Sequence, residues 1–301
     1  MNFFTTISTG LNVMFRCPAC KTSFDADLTA LPEMCGCGFA IRQIEGIPLL
    51  VKDRVVIDSN IRDAEIAGRG KWYTGPQMGQ WTGPYRHHLL KRKQYVSKIL
   101  GAYSKQRPRI GAALDLGCGD GVNSSWLIEH FDTLYASDYN LSRLLRAAGL
   151  PRPPKLFLAD ITDYPAPDAA FDVVFFNHVL EHIPDDRRAL AEVYRILKPG
   201  GLLILGVPNE GALFWRLAYA LQPGSRDTSD HVHFYTAKSL ASMSREAGFV
   251  VQDIHPIGWG LPHWTLDAMV RGSKWVDDLF EKVGRVLLPS QASSLYLVLS
   301  K

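Results

Sequence analysis

Strand-like and helix-like patterns alternate along the chain from residue 110 onward. Helical spacing of apolar residues predicts helices at 121–130, 140–148 and 185–197. Short, almost continuous apolar runs predict strands at 111–116, 133–137, 155–159, 171–176, 201–207, 248–255 and 294–300. Continuous apolar strands are typical of a parallel sheet with both faces covered. The alternation therefore indicates an α/β domain with a doubly wound, seven-stranded, mostly parallel sheet.

The region before residue 110 follows a different pattern. Leu89, Val96 and Leu100 recur at helical spacing and predict a helix over 84–104. From Lys52 to Gly83 the chain is rich in glycine and shows no period, so we expect a loop with little regular structure there.

Two aromatic-rich segments fall outside the strand pattern. Residues 212–221 form an apolar helix candidate, and residues 257–290 hold four large aromatic side chains, Trp259, Trp264, Trp275 and Phe280. These segments either pack against the sheet or cover a site, because sites in open α/β sheets lie beyond the carboxyl ends of the strands. The corresponding lid elements are expected at 210–235 and 257–290.

The composition is that of an ordinary globular protein. Of the 301 residues, 47% are hydrophobic and 21% are charged. No apolar run is long enough for a membrane-spanning helix. The chain starts with a mildly apolar stretch without a basic region, so we expect no signal peptide and a cytoplasmic protein. In that compartment the five cysteines need not form disulfides.

Charge is unevenly divided along the chain. Residues 1–110 hold 16 Lys and Arg against 8 Asp and Glu, whereas the remainder holds 17 against 22. Segment 84–109 alone carries eight basic residues and no acidic one. Such a segment is either a solvated helix face or a surface for an anionic partner such as RNA.

A glycine-rich loop, LDLGCGDG at 114–121, lies between a predicted strand and a predicted helix. Gly117, Gly119 and Gly121 permit positive φ angles and let a ligand approach the backbone. The spacing differs from that of dinucleotide-binding loops, and the loop lacks the Lys of phosphate-binding loops. The carboxylates of Asp115 and Asp120 would repel a pyrophosphate but suit a ligand that carries positive charge.

Two further acids follow predicted strands. Asp138 comes 21 residues after Gly117, where an acid can accept hydrogen bonds from ribose hydroxyls. Asp160 follows the next strand and could accept a hydrogen bond from an exocyclic amine. Any one of these residues could simply cap a helix, but three acids at successive strand ends favour a nucleoside site.

The ordered motifs resemble those of class I S-adenosylmethionine-dependent methyltransferases. The segments that carry the resemblance are LDLGCGDG, LADI (158–161), FDVVFFNHVLEHIPD (171–185), RILKPGGLLILGVPN (195–209) and DHVHFYTAKSLASMSREAGFVV (230–251). The resemblance covers about residues 110–256 and the last strand. It implies the Rossmann-like methyltransferase fold, S-adenosylmethionine as cofactor, and methyl transfer by in-line displacement.

The resemblance also implies roles for the glycine loop. Gly117 and Gly119 would carry the methionine part of the cofactor, and Asp115 would orient the loop and the cofactor's amino group. Cys118 stands where the family often has a cysteine, and we interpret it as a small packed residue rather than a nucleophile.

The residues at the ends of the following strands would bind the nucleoside half of the cofactor. By the same resemblance, Asp138 would hold the ribose, Asp160 and Ile161 the adenine, and Asn177 would face the methyl end. The segment NHVLEHIPD is similar to the ubiquinone-type O-methyltransferases, some of which bind a divalent ion through this motif. Asn177 stands where that branch often has Glu, which weakens the case for such an ion.

Methyl transfer needs a base only if the acceptor is a neutral hydroxyl or a similar group. The candidates are His178, His231 and His233, with His182 beside them, and a structural hydrogen bond is the alternative for each. We expect an enclosed apolar acceptor pocket covered by Trp72, Tyr73, Trp81 and the lid elements defined above.

Four cysteines near the start form two knuckles. Cys17 and Cys20 are separated from Cys35 and Cys37 by 14 residues. Four thiolates satisfy a tetrahedral zinc ion and can stabilise a segment too short for its own core. The segment resembles the zinc-ribbon modules found ahead of some methyltransferase domains. A metal-free ribbon and a redox pair are the alternatives, although no βαβ pattern surrounds the cysteines.

The predicted organisation is a zinc-ribbon-like module at 1–52, a linker and cap helix at 53–109, and a methyltransferase domain at 110–301. The leading functional hypothesis is methylation of a small-molecule or biosynthetic-intermediate acceptor. An RNA (rRNA or tRNA) methyltransferase that uses the zinc module and the basic segment 86–109 is the alternative. A third possibility is a cofactor-binding adaptor without catalysis. No transmembrane segment is expected.

Overall fold

The computed structural model describes residues 13–24, 26–65, 77–105, 110–222, 224 and 231–301. The strands within these residues form one sheet. Their bounds are β1 Gln43–Ile44, β2 Ile47–Leu50, β3 Ala112–Leu116, β4 Thr133–Asp138, β5 Lys155–Ala159, β6 Phe171–Asn177, β7 Leu197–Pro208, β8 Val250–Ile257 and β9 Ser294–Ser300. The order across the sheet is β1-β2-β5-β4-β3-β6-β7-β9-β8.

The pairing confirms the predicted fold class. All neighbours from β2 to β7 are parallel, and β1–β2, β7–β9 and β9–β8 are antiparallel. The seven predicted strands are β3 to β9. The cysteine-bearing segment adds β1 and β2, so the sheet has nine strands within the described residues.

Helices cover both faces of the sheet. Their bounds are α1 Arg54–Glu65, α2 Arg86–Lys105, α3 Ser124–Leu127, α4 Leu141–Ala148, α5 Asp186–Ile196, α6 Leu213–Leu221, α7 Ala237–Glu246, α8 Trp264–Arg271 and α9 Lys274–Leu287. The helices predicted at 84–104, 140–148, 185–197 and 212–221 are confirmed. Asn140 and Asp185 explain where α4 and α5 begin, because each side chain accepts a backbone hydrogen bond from the first turn.

Two core layers show the doubly wound arrangement. On one face Leu114 and Leu203 pack with Leu190 of α5. On the other face Val173 packs with Val96 of α2. Every one of these side chains is buried, as a sheet covered on both faces requires.

The expectation of a loop from Lys52 to Gly83 is wrong over α1. Ile57 and Ile61 of this helix pack into a cluster with Leu141 and Leu144 of α4, and Asn60 accepts a hydrogen bond from Leu141 N at 3.0 Å. Contact with α4 helps to stabilise this short helix. Trp72 and Tyr73 lie outside the described residues.

The helix predicted at 121–130 is also shorter than expected. The α-helix covers only Ser124–Leu127 and continues as a 3₁₀ turn over Ile128–His130. Gly121 has a φ of +78°, which no right-handed helix contains. The glycine loop therefore extends further than the sequence pattern indicates.

The cysteine-bearing segment is joined closely to the sheet. Leu50 of β2 pairs with Ala159 of β5. The Phe15 ring contacts the Phe157 ring at a centroid distance of 4.8 Å, and Val13 N donates to the Tyr135 hydroxyl at 3.0 Å. The segment therefore shares its core with the strands that carry the predicted nucleoside site.

Candidate active site

The glycine loop leaves β3 with three residues in the left-handed region. Gly117, Gly119 and Gly121 have φ angles of +74°, +56° and +78°. A Cβ on Gly117 would overlap Val179. The loop is also tied to the next strand, because the Gly117 and Cys118 amides donate to Ser137 O at 2.8 and 3.0 Å. A side chain at Gly117 would therefore meet both backbone strain and a steric clash.

Asp138 connects the loop to the start of α4. Its Oδ2 accepts a hydrogen bond from Gly119 N at 2.8 Å, and its Oδ1 accepts one from Asn140 N at 2.9 Å. Burial raises the pKa of this carboxyl, and these backbone amides oppose the shift. Asp138, which is predicted to bind the ribose, thus also stabilises the conformation of the glycine loop.

Asp115 and Cys118 are both buried at the glycine loop, and Cys118 lines the larger cavity. Ser124 Oγ donates to Asp115 Oδ2 at 2.5 Å. Burial of the Cys118 thiol raises its pKa well above the usual range, so the thiol remains protonated at neutral pH. This state fits a packed residue and not a nucleophile.

Asp115 should make the unliganded protein less stable as pH rises. Burial raises the pKa of its carboxyl to about 7, whereas an unfolded Asp titrates near 3.9. Between these values only the folded state holds the proton, so the free energy of unfolding falls with pH. Urea unfolding at pH 5.5 and 8 should show a loss larger by about 2 kcal/mol in the wild type than in Asp115→Asn. Equal losses in the two proteins would rule out this role.

Two adjoining cavities lie at the carboxyl ends of the central strands. The larger cavity has a volume of about 560 Å³ and the smaller one of about 410 Å³. Both are lined by Gly117, Asp138, Val179 and His182. A ligand that spans both cavities would therefore cross the glycine loop beside Asp138.

Asp160 and Ile161 line the smaller cavity with Tyr139. Asp160 Oδ1 also accepts from Thr162 N and Thr162 Oγ1 at 2.8 and 2.7 Å. The residue is therefore both a helix cap and a cavity wall. The structure brings the two residues predicted for adenine together with Asp138.

The end of β6 lines the larger cavity. Asn177 Oδ1 accepts a hydrogen bond from the Tyr296 hydroxyl, and both Asn177 and His178 face this cavity. His178 has a φ of +55°, and its Nδ1 lies 3.5 Å from Glu181 Oε1. Burial and the nearby charge of Arg92 lower the pKa of His178 well below its usual range, so this imidazole is neutral.

The other two candidate bases have different positions. His231 lines the larger cavity, and its Nδ1 lies 2.8 Å from Glu210 Oε1. His233 is not among the lining residues; its Nε2 lies 3.0 Å from Ile183 O and 3.2 Å from Pro184 O. The geometry therefore separates His231, at the cavity, from His233, which is engaged with the backbone behind it.

Comparison with known proteins identifies the fold family. Residues 85–254 match the family described as Methyltransferase domain. The chain belongs to the methyltransferase-domain family. This assignment confirms the resemblance seen in the motifs, and S-adenosylmethionine is the cofactor class of the relatives described next.

The match to each named relative covers only part of that relative's length. A Mycolicibacterium smegmatis protein named as a probable S-adenosylmethionine-dependent methyltransferase is 29% identical over 53% of this chain and 60% of its own. The ubiquinone biosynthesis O-methyltransferase of Thiobacillus denitrificans is 31% identical over 47% of this chain and 65% of its own. The chain thus spans between half and two thirds of the curated relatives that it matches.

Solved structures show the same fold at low identity. A candidate sarcosine dimethylglycine methyltransferase from Galdieria sulphuraria superposes with a TM-score of 0.52 and 17% identity, over 70% of this chain and 86% of that one. A chain of the complex between the Haloferax volcanii Trm112 methyltransferase activator and a candidate methyltransferase gives a TM-score of 0.50 and 20% identity, over 75% and 98%.

The main cavity of this methyltransferase domain is more polar than expected. Its lining includes Arg92, Asp138, Glu181 and His231. Of the predicted aromatic cover, Trp81 lines it, whereas α6 and the residues Asp267 and Arg271 of α8 border a separate cavity of about 50 Å³. The prediction of an apolar, aromatic pocket is therefore wrong for the described part of the lining, because charged and polar side chains occupy most of it.

The basic residues of α2 are largely bound within the protein. Lys91 Nζ lies 2.5 Å from Asp277 Oδ2, and Arg86 Nη2 donates to Gly272 O at 2.5 Å. These contacts attach α2 to α8 and α9. The basic residues in the described part of this segment, residues 84–105, therefore do not form one open face.

Arg92 and Glu181 are site residues that the sequence analysis missed. Arg92 Nη2 donates to Ser294 Oγ at 2.5 Å, while its buried Nε has no hydrogen-bond partner among the described residues. Glu181 is 1% exposed, and neither of its carboxylate oxygens has a hydrogen-bond partner among the described residues. Arg92 could have been recognised, since it lies four residues before Val96 on the buried face of α2.

The four N-terminal cysteines converge. Their sulfur atoms all lie within 4.8 Å of one another, with Cys17–Cys37 and Cys20–Cys35 separations of 3.7 and 3.6 Å. A tetrahedral zinc site with bonds of about 2.3 Å has sulfur separations of about 3.8 Å. The donor set and the spacing therefore both fit a Cys₄ zinc site.

None of the described helices combines the length and the apolar character needed to cross a bilayer.

Proposed function

We propose that the protein transfers a methyl group from S-adenosylmethionine to a hydroxyl group of a small acceptor in the larger cavity. The observation that carries the proposal is the pair of adjoining cavities on either side of Gly117 and Asp138. A volume of about 560 Å³ lies within the range of pockets for small molecules, about 300–1,000 Å³.

The cofactor would lie across both cavities. Asp160 and Ile161 would contact adenine in the smaller cavity, and Asp138 would hold the ribose between them. The methionine part would follow Gly117 and Gly119 into the larger cavity. These residues fit the group because each of them lines one of the two cavities.

Three other residues complete the methionine end. Arg92 supplies a cation for the cofactor's carboxylate, since this residue lines the larger cavity and its Nε has no hydrogen-bond partner among the described residues. Asn177 faces the methyl end, and Asp115 supports the loop from below. When bound, the cofactor supplies a sulfonium leaving group, so alignment of the acceptor is the main task of the protein.

A hydroxyl acceptor is favoured by the polar groups around the methyl end. His231 is positioned to accept the hydroxyl proton, and His178 and Glu181 can hydrogen-bond to the acceptor. One group of relatives is named for O-methylation in ubiquinone biosynthesis. The inward-directed contacts of Arg86, Lys91 and Arg92 favour a small acceptor over RNA, which needs an open basic groove.

We further propose that residues 1–52 form a zinc-ribbon-like module, with the ion held by Cys17, Cys20, Cys35 and Cys37. Residues 53–109 then form the linker and cap helix, and residues 110–301 the methyltransferase domain with lid elements at 210–235 and 257–290. The convergence of the four thiols supports the metal.

Acceptor class can be tested with methyl-labelled S-adenosylmethionine and the full chain. We expect label on small hydroxyl compounds such as catechol or phenol, and none on matched primary amines or on bulk ribosomal RNA and tRNA. Arg92→Gln should weaken cofactor binding by about tenfold or more, the scale of a charge-assisted hydrogen bond, and Lys98→Gln serves as the surface control. Label on RNA, reduced by high salt, would replace this proposal with the RNA alternative.

A further inference from the structure

A buried carboxylate lies behind one of the candidate bases. Glu210 follows β7 and is 3% exposed. Its Oε1 lies 2.8 Å from His231 Nδ1, and the Tyr219 hydroxyl of α6 donates to the same oxygen. His231 lines the larger cavity, whereas Glu210 is not among its lining residues. The carboxylate therefore reaches the cavity only through the imidazole.

The backbone around His231 is held from two sides. The amides of Val232 and His233 donate to Glu181 O at 2.9 and 3.2 Å, and Gly211 N donates to Tyr235 O at 2.9 Å. The segment is thus fixed between the chain that follows β6 and the chain that follows β7. The backbone that carries His231 is therefore held close to Glu210.

We propose that Glu210 is a positioning residue that holds His231 as the general base; this inference rests on the proposed transfer to a hydroxyl. A carboxylate at Nδ1 fixes the tautomer with the proton on Nδ1, so Nε2 is the proton-accepting nitrogen. As the acceptor oxygen bonds to the methyl carbon, the carbon–sulfur bond breaks with its electron pair on sulfur. The hydroxyl proton moves to His231 Nε2, and Glu210 balances the imidazolium charge.

A purely structural role accounts poorly for a carboxylate at this position. Glu210 Oε2 is buried and has no hydrogen-bond partner among the described residues. Burying a charged group with an unpartnered oxygen is costly. A Gln would accept the same bond from Tyr219 at a lower desolvation cost, but it would not balance an imidazolium.

The tautomer can be observed directly in the full chain with ¹⁵N-labelled histidine. We expect the His231 nitrogen signals, assigned with His231→Gln, to show the Nδ1-protonated form. Glu210→Gln should produce a mixture of tautomers. Glu192→Gln, which removes another buried carboxylate from contact with Arg195, should leave the His231 signals unchanged. An unchanged tautomer in Glu210→Gln would overturn the proposal.

Kinetics separate this inference from the proposed function. With a hydroxyl acceptor such as catechol, Glu210→Gln should lower kcat about 10- to 100-fold, within the range for general-base catalysis, and leave the affinity for S-adenosylmethionine within twofold. Glu210→Asp should restore part of kcat. A wild-type kcat in Glu210→Gln would refute the positioning role alone, whereas failure of the wild type to methylate any hydroxyl would refute the proposed function.

The pH profile of the reaction reflects the titratable groups that face His231. Among the described residues, the titratable groups around His231 include Glu210, Tyr219, Glu181, His182 and His178. If Glu210 supports the base, the acid limb of the pH profile of kcat should move to lower pH in Glu210→Gln. In Tyr219→Phe, which keeps the carboxylate, kcat should still fall toward acid pH as in the wild type. An acid limb that does not move would contradict the proposal.

The alternative role of His231 is to bind a metal ion together with its neighbours. One ligand atom each from Glu181, His182 and His231 lies within 4.8 Å of the others. Titration with Co²⁺ should therefore show no stoichiometric binding that depends on His231. Binding lost in both His231→Gln and Glu181→Gln would overturn the proposal, because His231 would then be a metal ligand.

Discussion

Replacement of Cys17 and Cys20 by Ser is expected to release one zinc ion per chain and to unfold the segment before β2. The buried residues of the segment, such as Phe15, Phe24 and Phe39, belong to a core that it shares with the sheet, and Cys17 and Cys35 are buried with them. Structural zinc sites contribute about 10–16 kcal/mol of apparent binding free energy at neutral pH. Elemental analysis should find about one zinc in the wild type and none in the double variant, with a lower Tm.

Cys118→Ser is the matched control for this experiment. Cys118 is a buried cysteine of the glycine loop and is not part of the four-cysteine cluster. Its variant should keep the metal. A wild-type protein that contains no zinc after purification with metal present, or a double variant that retains it, would contradict the assignment.

Asp138→Ala should weaken binding of S-adenosylmethionine by about 1.5–3 kcal/mol, or about 10- to 150-fold. Two effects add at this residue. The ribose loses an acceptor, and Gly119 N and Asn140 N lose the bonds that shape the loop. Asp138→Asn should have a smaller effect, since its amide oxygen still serves one of these amides. Calorimetry on folded samples measures both.

Asp58→Ala controls for the loss of a carboxylate from the surface. Asp58 makes an exposed ion pair with Arg42, which contributes little to stability, so cofactor affinity should stay unchanged. Wild-type affinity in Asp138→Ala would refute the predicted ribose contact. Unfolding of that variant would instead be seen by circular dichroism, in which case Asp138→Asn carries the test.

The strand and loop pattern could be predicted because local sequence determines it. Continuous apolar runs identified the strands from β3 to β9, and glycine spacing located the loop between β3 and α3. The acids Asp138 and Asp160 could be assigned because parallel strands end at one edge of the sheet. Their binding roles stay predictions until a ligand is measured.

Other features depend on contacts between distant residues. Helix α1 is held by α4, and Glu210 meets His231 across 21 residues of chain. Charge alone groups Arg92 with a solvated basic face, although its spacing of four residues from Val96 places it on the buried face of α2. Polarity of the cavity could not be predicted either, since it depends on which lid residues reach the site.

β2 is among the earliest strands in the chain, yet it can join the sheet only late during synthesis. Its sheet neighbours among the described strands are β1 and β5, and Leu50 pairs with Ala159, so about 110 residues must follow Leu50 from the ribosome before this edge closes. The two cysteine knuckles, by contrast, are complete within 21 residues. A metal bound there would keep the nascent segment compact while Ile47, Leu49 and Leu50 wait for their partner strand, and metal supply during translation would then influence how much of the chain reaches the native sheet.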